Sequence, residues 1–367
     1  MGRRRILVLV DGAGLNPATE ALLNDAQIWA VDSDLRFVVR NPGNISQSLS
    51  ILGPVWNLGQ PLDTPTTNPS KPSHWNDFAL DWNPDVLYAS SVGAITIGDQ
   101  IDLPLVPLLL YVYDEGHWIG RAAPGRKNLF IDRPDAYVAP SSGCARFLTD
   151  RLFIPPGKIT VSNPFITRRR FEQLAATIRT PNKQFTVGSL GGAAWLTGSV
   201  QWLYLCRELF LGDHGDQFSC KRLGVFGGSL EDHRFQHSLR LLEVAPKMEL
   251  VHDQGQMVEF ISSLDVLAVT SWQDTSVTHI LTAMALGIPV VCFQDNLATA
   301  ETLADTGMAI ESYDVREMAT AIRKLASDAE AAGCLGLKER ARVKDCFVDS
   351  GSSRAVLMTV DDLAVRN

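Results

Sequence analysis

Residues 265–291 read DVLAVTSWQDTSVTHILTAMALGIPVV, and the order of patterns in this stretch decides the fold class. An apolar run over 265–270 predicts a buried strand, 271–276 a polar loop, 277–286 a helix and 288–293 a second buried strand. Val277, Ile280, Leu281 and Met284 fall at i, i+3, i+4 and i+7, the spacing of one helix face. Gly287 stops the helix, and Pro289 restarts the chain as a strand. The result is a strand–loop–helix–strand unit of a parallel sheet, with the loop at the carboxyl end of its strand. Ligands of open α/β sheets sit at such ends, and a helix N-terminus there favours an anion.

Outward from this stretch, strand-like runs alternate with helical patterns, the signature of βαβ units. Strands are predicted over 5–10, 36–39, 85–89, 106–113 and 136–139, then over 184–187, 223–226, 248–252 and 308–310. Helices are predicted over 200–211, 230–244, 256–263 and 315–326, with helical patterning and no further strand over 333–365. The Pro-, Asn-, Ser- and Thr-rich stretch 41–82 reads as a long irregular insertion. At 367 residues two domains are expected. They are placed at 1–165 and 183–342, with a hinge over 166–182 and a helical tail over 343–367 packing toward the N-terminal domain. The fold class is α/β: two Rossmann-like, doubly wound domains facing across a cleft.

A net charge of −8 argues against nucleic acid as the main partner. Arg3–Arg5 and Arg168–Arg170 are read as solvated surface arginines rather than basic patches. The six cysteines form no CxxC pair and have no zinc-like spacing to histidine, so no metal site and a reducing, cytoplasmic setting are expected. The apolar run after the N-terminal arginines is too short for a signal peptide and fits a first strand. The stretch 103–113 holds two prolines and falls far short of a membrane span.

The order of segments resembles the family-4 retaining glycosyltransferases of the GT-B fold. DVLAVTSWQD and LTAMALGIPVVCF are similar to that family's acidic loop and following helix and strand, VGSLGGAAWLTG (187–198) to its Gly-rich turn. LGVFGGSLED (223–232) is similar to the strand and turn beneath the donor, and IPPGKITVSNPF (154–165) to the lead into the second domain. The resemblance implies a metal-independent transferase without cofactor, moving a sugar from a nucleotide sugar to a glycan, lipid or small-molecule acceptor. A lipid-linked acceptor would bring peripheral membrane contact. It implies catalytic roles for Asp274, His117 and Glu115, and donor binding by Gly12, Gly14, Gly188, Ser189, Gly228, Ser276, Val277, Thr278 and Thr282. The family's second loop glutamate is here Thr282, and its turn arginine and lysine are here Ser189 and Thr197. The histidine of its first domain has no match in place: His117 lies two residues beyond the matched carboxylate position.

Each residue also has a plainer reading. Asp274 orients donor hydroxyls or caps the helix, where Thr275 and Ser276 also serve. Thr278 and Thr282 meet a ribose or simply face a cleft or water, and His279 is structural or solvated. Residues 188–198 bring backbone amides to a phosphate or form an ordinary tight βα turn. Residues 11–14 and 227–228 read the same two ways. Tyr113, Asp114, Glu115 and His117 form a proton-transfer cluster near a cleft or a surface loop. Two other functions stand beside the transferase: a GT-B protein without catalysis serving as a partner subunit, and a nucleotide-sugar epimerase. The oligomeric state stays open.

Overall fold

The computed structural model describes residues 3–13, 17–58, 76–98, 106–112, 127–212, 215–224, 226, 228–252, 256–272, 277–311, 313–349 and 351–365. Gly14, Tyr113, Asp114, Glu115, His117, Asp274, Thr275 and Ser276 lie outside them. The chain divides into two compact units, Met1–Pro164 with Ser350–Asn367, and Phe165–Asp349.

The first unit runs β1 (Arg4–Gly12), α1 (Pro17–Asp32), β2 (Ser33–Asn41), α2 (Ser46–Leu52), β3 (Val55–Asn57), β4 (Val86–Ala89), α3 (Ile95–Gly98), β5 (Leu108–Tyr111), α4 (Lys127–Asp132), β6 (Ala136–Ala139), α5 (Ser142–Leu152) and β7 (Ile159–Val161). Its sheet is parallel throughout, in the order β3-β2-β1-β4-β5-β6-β7. Helices on both faces explain why β1 reads as an unbroken apolar run rather than an alternating one. Ile6, Val8 and Val10 enter one core, while Leu7 and Leu9 enter the other. The C-terminal helix Ser352–Val365 adds Val356, Val360 and Leu363 to the first of these cores.

The structure differs from the sequence expectation at α2, β3 and β7. Residues 46–57, read as irregular, form α2 and β3, because Leu49 fills the core and Val55 and Trp56 pair with Phe37 and Val38. β7 was also missed; at three residues it is too short to show a period.

The second unit runs α6 (Arg168–Ala175), β8 (Phe185–Leu190), α7 (Ser199–Phe210), β9 (Phe218–Leu223), α8 (Leu230–Leu241), β10 (Met248–Val251), α9 (Met257–Ser262), β11 (Val266–Val269), α10 (Val277–Ala285), β12 (Val290–Phe293), α11 (Leu297–Leu303), β13 (Met308–Ile310), α12 (Val315–Ser327) and α13 (Ala329–Cys346). Its parallel sheet has the order β10-β9-β8-β11-β12-β13, the 3-2-1-4-5-6 arrangement of a Rossmann fold. Leu267, Val269, Val290 and Cys292 point to one core; Val266, Ala268, Val291 and Phe293 point to the other.

α6 falls within the expected hinge. It is a helix of the second unit, with Leu174 in that unit's core and Thr167 capping Arg170 N–H at 3.3 Å. The tail expected from 343 onward divides: α13 belongs to the second unit, and the helix Ser352–Val365 to the first.

α10 ends as a Schellman motif. Ile288 N–H donates to Ala283 O at 3.0 Å, and Gly287 N–H to Met284 O at 2.9 Å, with Gly287 at φ 71°. Every residue of α10 is buried, since α6, α9, α11 and α13 pack around it. One apolar face was expected; the helix is enclosed on all sides.

Candidate functional site in the second unit

The order of the second sheet reverses between β8 and β11, so the crevice at their carboxyl ends is the place where a doubly wound fold holds ligands. The turn after β8 and the segment after β11 meet there. β8 continues to Leu190, so the turn proper is 191–198.

Gly198 sits at φ 68°, and a Cβ on it would lie 1.8 Å from Thr270 O. Thr270 Oγ1 donates to Gly198 O at 3.1 Å, and Trp272 N–H to Leu196 O at 3.0 Å. Asn296 Nδ2 donates to Ser271 Oγ at 2.9 Å, fixing the start of the acidic loop from the β12 side. Trp272 stacks on Tyr313 with ring centroids 4.0 Å apart and meets Trp195 edge-on at 6.2 Å. These contacts fix the chain as far as Trp272, the last described residue before Asp274 and Ser276.

Beneath the turn lies Arg222, on β9 and fully buried. Its Nη1 donates to Ser189 Oγ at 2.9 Å. Its Nη2 donates to Thr197 O at 2.8 Å, Gly192 O at 3.2 Å and Thr197 Oγ1 at 3.2 Å. Its Nε has no partner, and among the described residues no carboxylate pairs with it. Burial lowers the guanidinium to about 9, a smaller contribution from Cys206 opposing this. The sequence reading passed over Arg222 because it started this strand at 223. The signal was there: Phe218, Cys220 and Arg222 alternate on the inward face of one strand.

The other expected donor residues divide into groups. Ser189 lies in β8 just before the turn, its hydroxyl held by Arg222 and 3.5 Å from Thr270 Oγ1. Gly188 lies inside β8, where a Cβ would come 2.2 Å from Leu264 Cδ1; its bareness serves packing. Gly228, at φ 81° with open space at its Cβ, precedes the capping box of Ser229 and Asp232 that starts α8. Val277, Thr278 and Thr282 are buried in α10. Thr282 Oγ1 donates to Thr278 O at 3.0 Å, a bond to the helix's own backbone. Burial pushes His279, on the same helix, down to about 4, so its ring is neutral near pH 7.

Gly12 belongs to the first unit, at the carboxyl end of β1. Beside it Arg40 Nη1 donates to Asp11 Oδ1 at 2.6 Å and Nη2 to Thr96 Oγ1 at 2.5 Å, while Asn41 Nδ2 holds Asp11 O at 3.0 Å. This polar cluster at the β1/β4 reversal was not anticipated beyond residues 11–14. Among the described residues no group of His, Cys, Asp and Glu is placed to hold a metal ion, and no helix is long and apolar enough to cross a membrane.

Residues 211–328, which take in β9 through α12 and the β11 side of this site but not the 191–198 turn, match the family model described as glycosyl transferases group 1. The fold recurs in solved structures. Anabaena HepE in complex with UDP and glucose superposes with a TM-score of 0.77 at 14% identity, over 98% of this chain and 100% of that one. The fold is GT-B. Sucrose-phosphate synthase from Thermosynechococcus elongatus gives a TM-score of 0.75 at 15% identity, over 99% of this chain and 100% of that one. A D-inositol 3-phosphate glycosyltransferase of Stackebrandtia nassauensis is 27% identical over 249 residues, 64% of this chain and 54% of the relative. This GT-B chain therefore spans about half the length of the curated relative it matches.

Proposed function

We propose that the protein is a retaining, metal-independent glycosyltransferase that moves a sugar from a nucleotide sugar to a hydroxyl of a glycan, lipid-linked or small-molecule acceptor. The observation that carries this reading is the convergence at the β8/β11 reversal. A glycine turn and the lead into an acidic loop meet there, in a unit most of whose length matches the glycosyl transferase group 1 model. HepE is seen with UDP-glucose, which favours a nucleotide sugar as the donor class here.

In this reaction the bond from the anomeric carbon to the diphosphate oxygen breaks and its electron pair leaves with the diphosphate. The acceptor oxygen then bonds to the same face of that carbon. The barrier falls chiefly by stabilising the departing charge. The Ala193 backbone amide of the 191–198 turn and the N-terminal end of α10 would contribute. Asp274 would orient the sugar hydroxyls. Glu115 and His117 would handle the acceptor proton from the first unit.

The test is turnover: the protein incubated with UDP-, GDP- and ADP-sugars and candidate acceptors, with product anomers read by NMR. Release of nucleoside diphosphate with retained configuration supports the reading; an inverted product removes the retaining part of it. A second reading, a GT-B partner subunit without catalysis, is favoured by one observation. The Thr282 hydroxyl is used inside its own helix rather than presented to a ribose. Nucleotide binding without any turnover would favour that alternative.

A further inference from the structure

A buried charge needs a reason. Removing a guanidinium from water without a carboxylate beside it costs several kcal/mol, yet Arg222 is fully enclosed and, among the described residues, its hydrogen-bond acceptors are hydroxyls and carbonyls alone. We infer that Arg222 supplies, from behind the 191–198 turn, the positive charge that holds a diphosphate at the front of that turn, and that it orients the Ala193 amide for the same anion. This rests on the donor reading of the second unit.

The geometry carries the inference. Nη2 draws the carbonyl oxygens of Gly192 and Thr197 inward. In a trans peptide the N–H points opposite to the C=O, so the Ala193 N–H is directed away from Arg222, while the Thr197 and Gly198 N–H groups stay within the turn on Ala194 O and Trp195 O. An outward amide with a cation behind it is an anion-binding surface. Among the described residues no anion neutralises Arg222, and a bound diphosphate at the front of the turn would do so. From α7 the titratable neighbour is Cys206, which burial and a hydrogen bond to Cys220 of β9 hold far above the usual thiol range; it stays neutral and supplies no counter-charge. Trp202, also from α7, puts its ring face 6.0 Å from the guanidinium carbon. Lys221 points to the other side of β9, where it pairs with Glu249. A structural arginine would be expected to have a carboxylate partner; a perturbed, uncompensated cation at a ligand crevice is the pattern of a working site.

Arg222 is thus a positioning residue. Its test is calorimetric titration of the parent, R222Q and R222K with uridine, UDP and inorganic pyrophosphate. R222Q keeps hydrogen-bond donors without the charge, and R222K keeps the charge. The expected result is a loss of about tenfold to a hundredfold for UDP and pyrophosphate in R222Q, near-parent values in R222K and unchanged uridine affinity. Equal UDP affinity in parent and R222Q overturns the inference and leaves the donor reading standing. Parallel losses for uridine and UDP in both variants also overturn it, since they report only a damaged fold. A parent that binds pyrophosphate in an Arg222-dependent way but no nucleotide sinks the donor reading alone; a parent that binds none of the three overturns both. Should R222Q not fold, sulfate binding to the parent decides. Sulfate keeps its charge across this range, so its affinity should fall as pH rises through about 9; a flat profile overturns the inference.

Discussion

Gly198 is where one atom decides whether the site exists. Its positive φ and the 1.8 Å approach of a would-be Cβ to Thr270 O mean that Gly198→Ala forces the turn off the end of β11. The expected cost is about 2–4 kcal/mol, from left-handed strain plus overpacking, read as a lower denaturation midpoint of the second unit together with loss of UDP affinity. Asp274→Ala should leave folding intact and lower turnover about tenfold to a hundredfold, as expected for a lost charged hydrogen bond; steady-state kinetics at saturating donor check it. The sequence made Gly198 visible through the run of glycines around it, but not its reason, which is Thr270, distant in the chain. Arg222 was not legible for a related cause: its partners Ser189, Gly192 and Thr197 come from a different strand and turn. A lone arginine beside Lys221 reads as surface until the sheet is assembled.

Among the elements, α1 and α10 each bury a titratable group, and the two groups respond to pH in opposite senses. Burial raises Asp25, on α1, from its ordinary value of 3.8 to about 7, against a smaller contribution from Ser353. The folded state therefore holds this proton longer than the unfolded chain. The contribution of Asp25 to stability is fully present below pH 3.8 and is lost as pH rises to about 7, by about 4 kcal/mol in all. His279, on α10, is lowered from 6.5 to about 4. Its stability is complete above pH 6.5 and is lost as pH falls toward 4, by about 3 kcal/mol. Native-state hydrogen exchange at pH 5 and 7.5, corrected for intrinsic rates, should show the first unit firmer at pH 5; in the second unit burial also raises Glu339, which opposes His279. Asp25→Asn should raise the Tm of the first unit more at pH 8 than at pH 5. Gly287→Ala at the end of α10 should cost about 1–2 kcal/mol for its left-handed φ, with further strain because a Cβ would sit 2.7 Å from the Arg340 guanidinium; a denaturant melt measures it.

The helices were legible where period and caps agree: the start of α10 and the Gly287 stop follow from the quoted stretch. The enclosure of α10 was not, because Thr278, His279 and Thr282 look like an outward face until α6 and α13 close over the helix. β9 was displaced for a similar reason: the apolar run at its end drew the assignment toward 223–226, although its polar residues Lys221 and Arg222 belong to the strand.

For the whole molecule, two parallel sheets with the same order about β1 and β8 repeat one Rossmann plan, and that plan is written in the alternation of apolar strands and amphipathic helices along the chain. What the plan leaves open is which reversal point is occupied. The account assigns the nucleotide to the second unit and its β8/β11 reversal. Hydrogen–deuterium exchange of the intact chain with and without saturating UDP measures this directly. Protection should concentrate at residues 190–198 and 270–282, with the strands of the first unit unchanged. Protection confined to the first unit, or no change at 190–198 although UDP binds, would contradict the account.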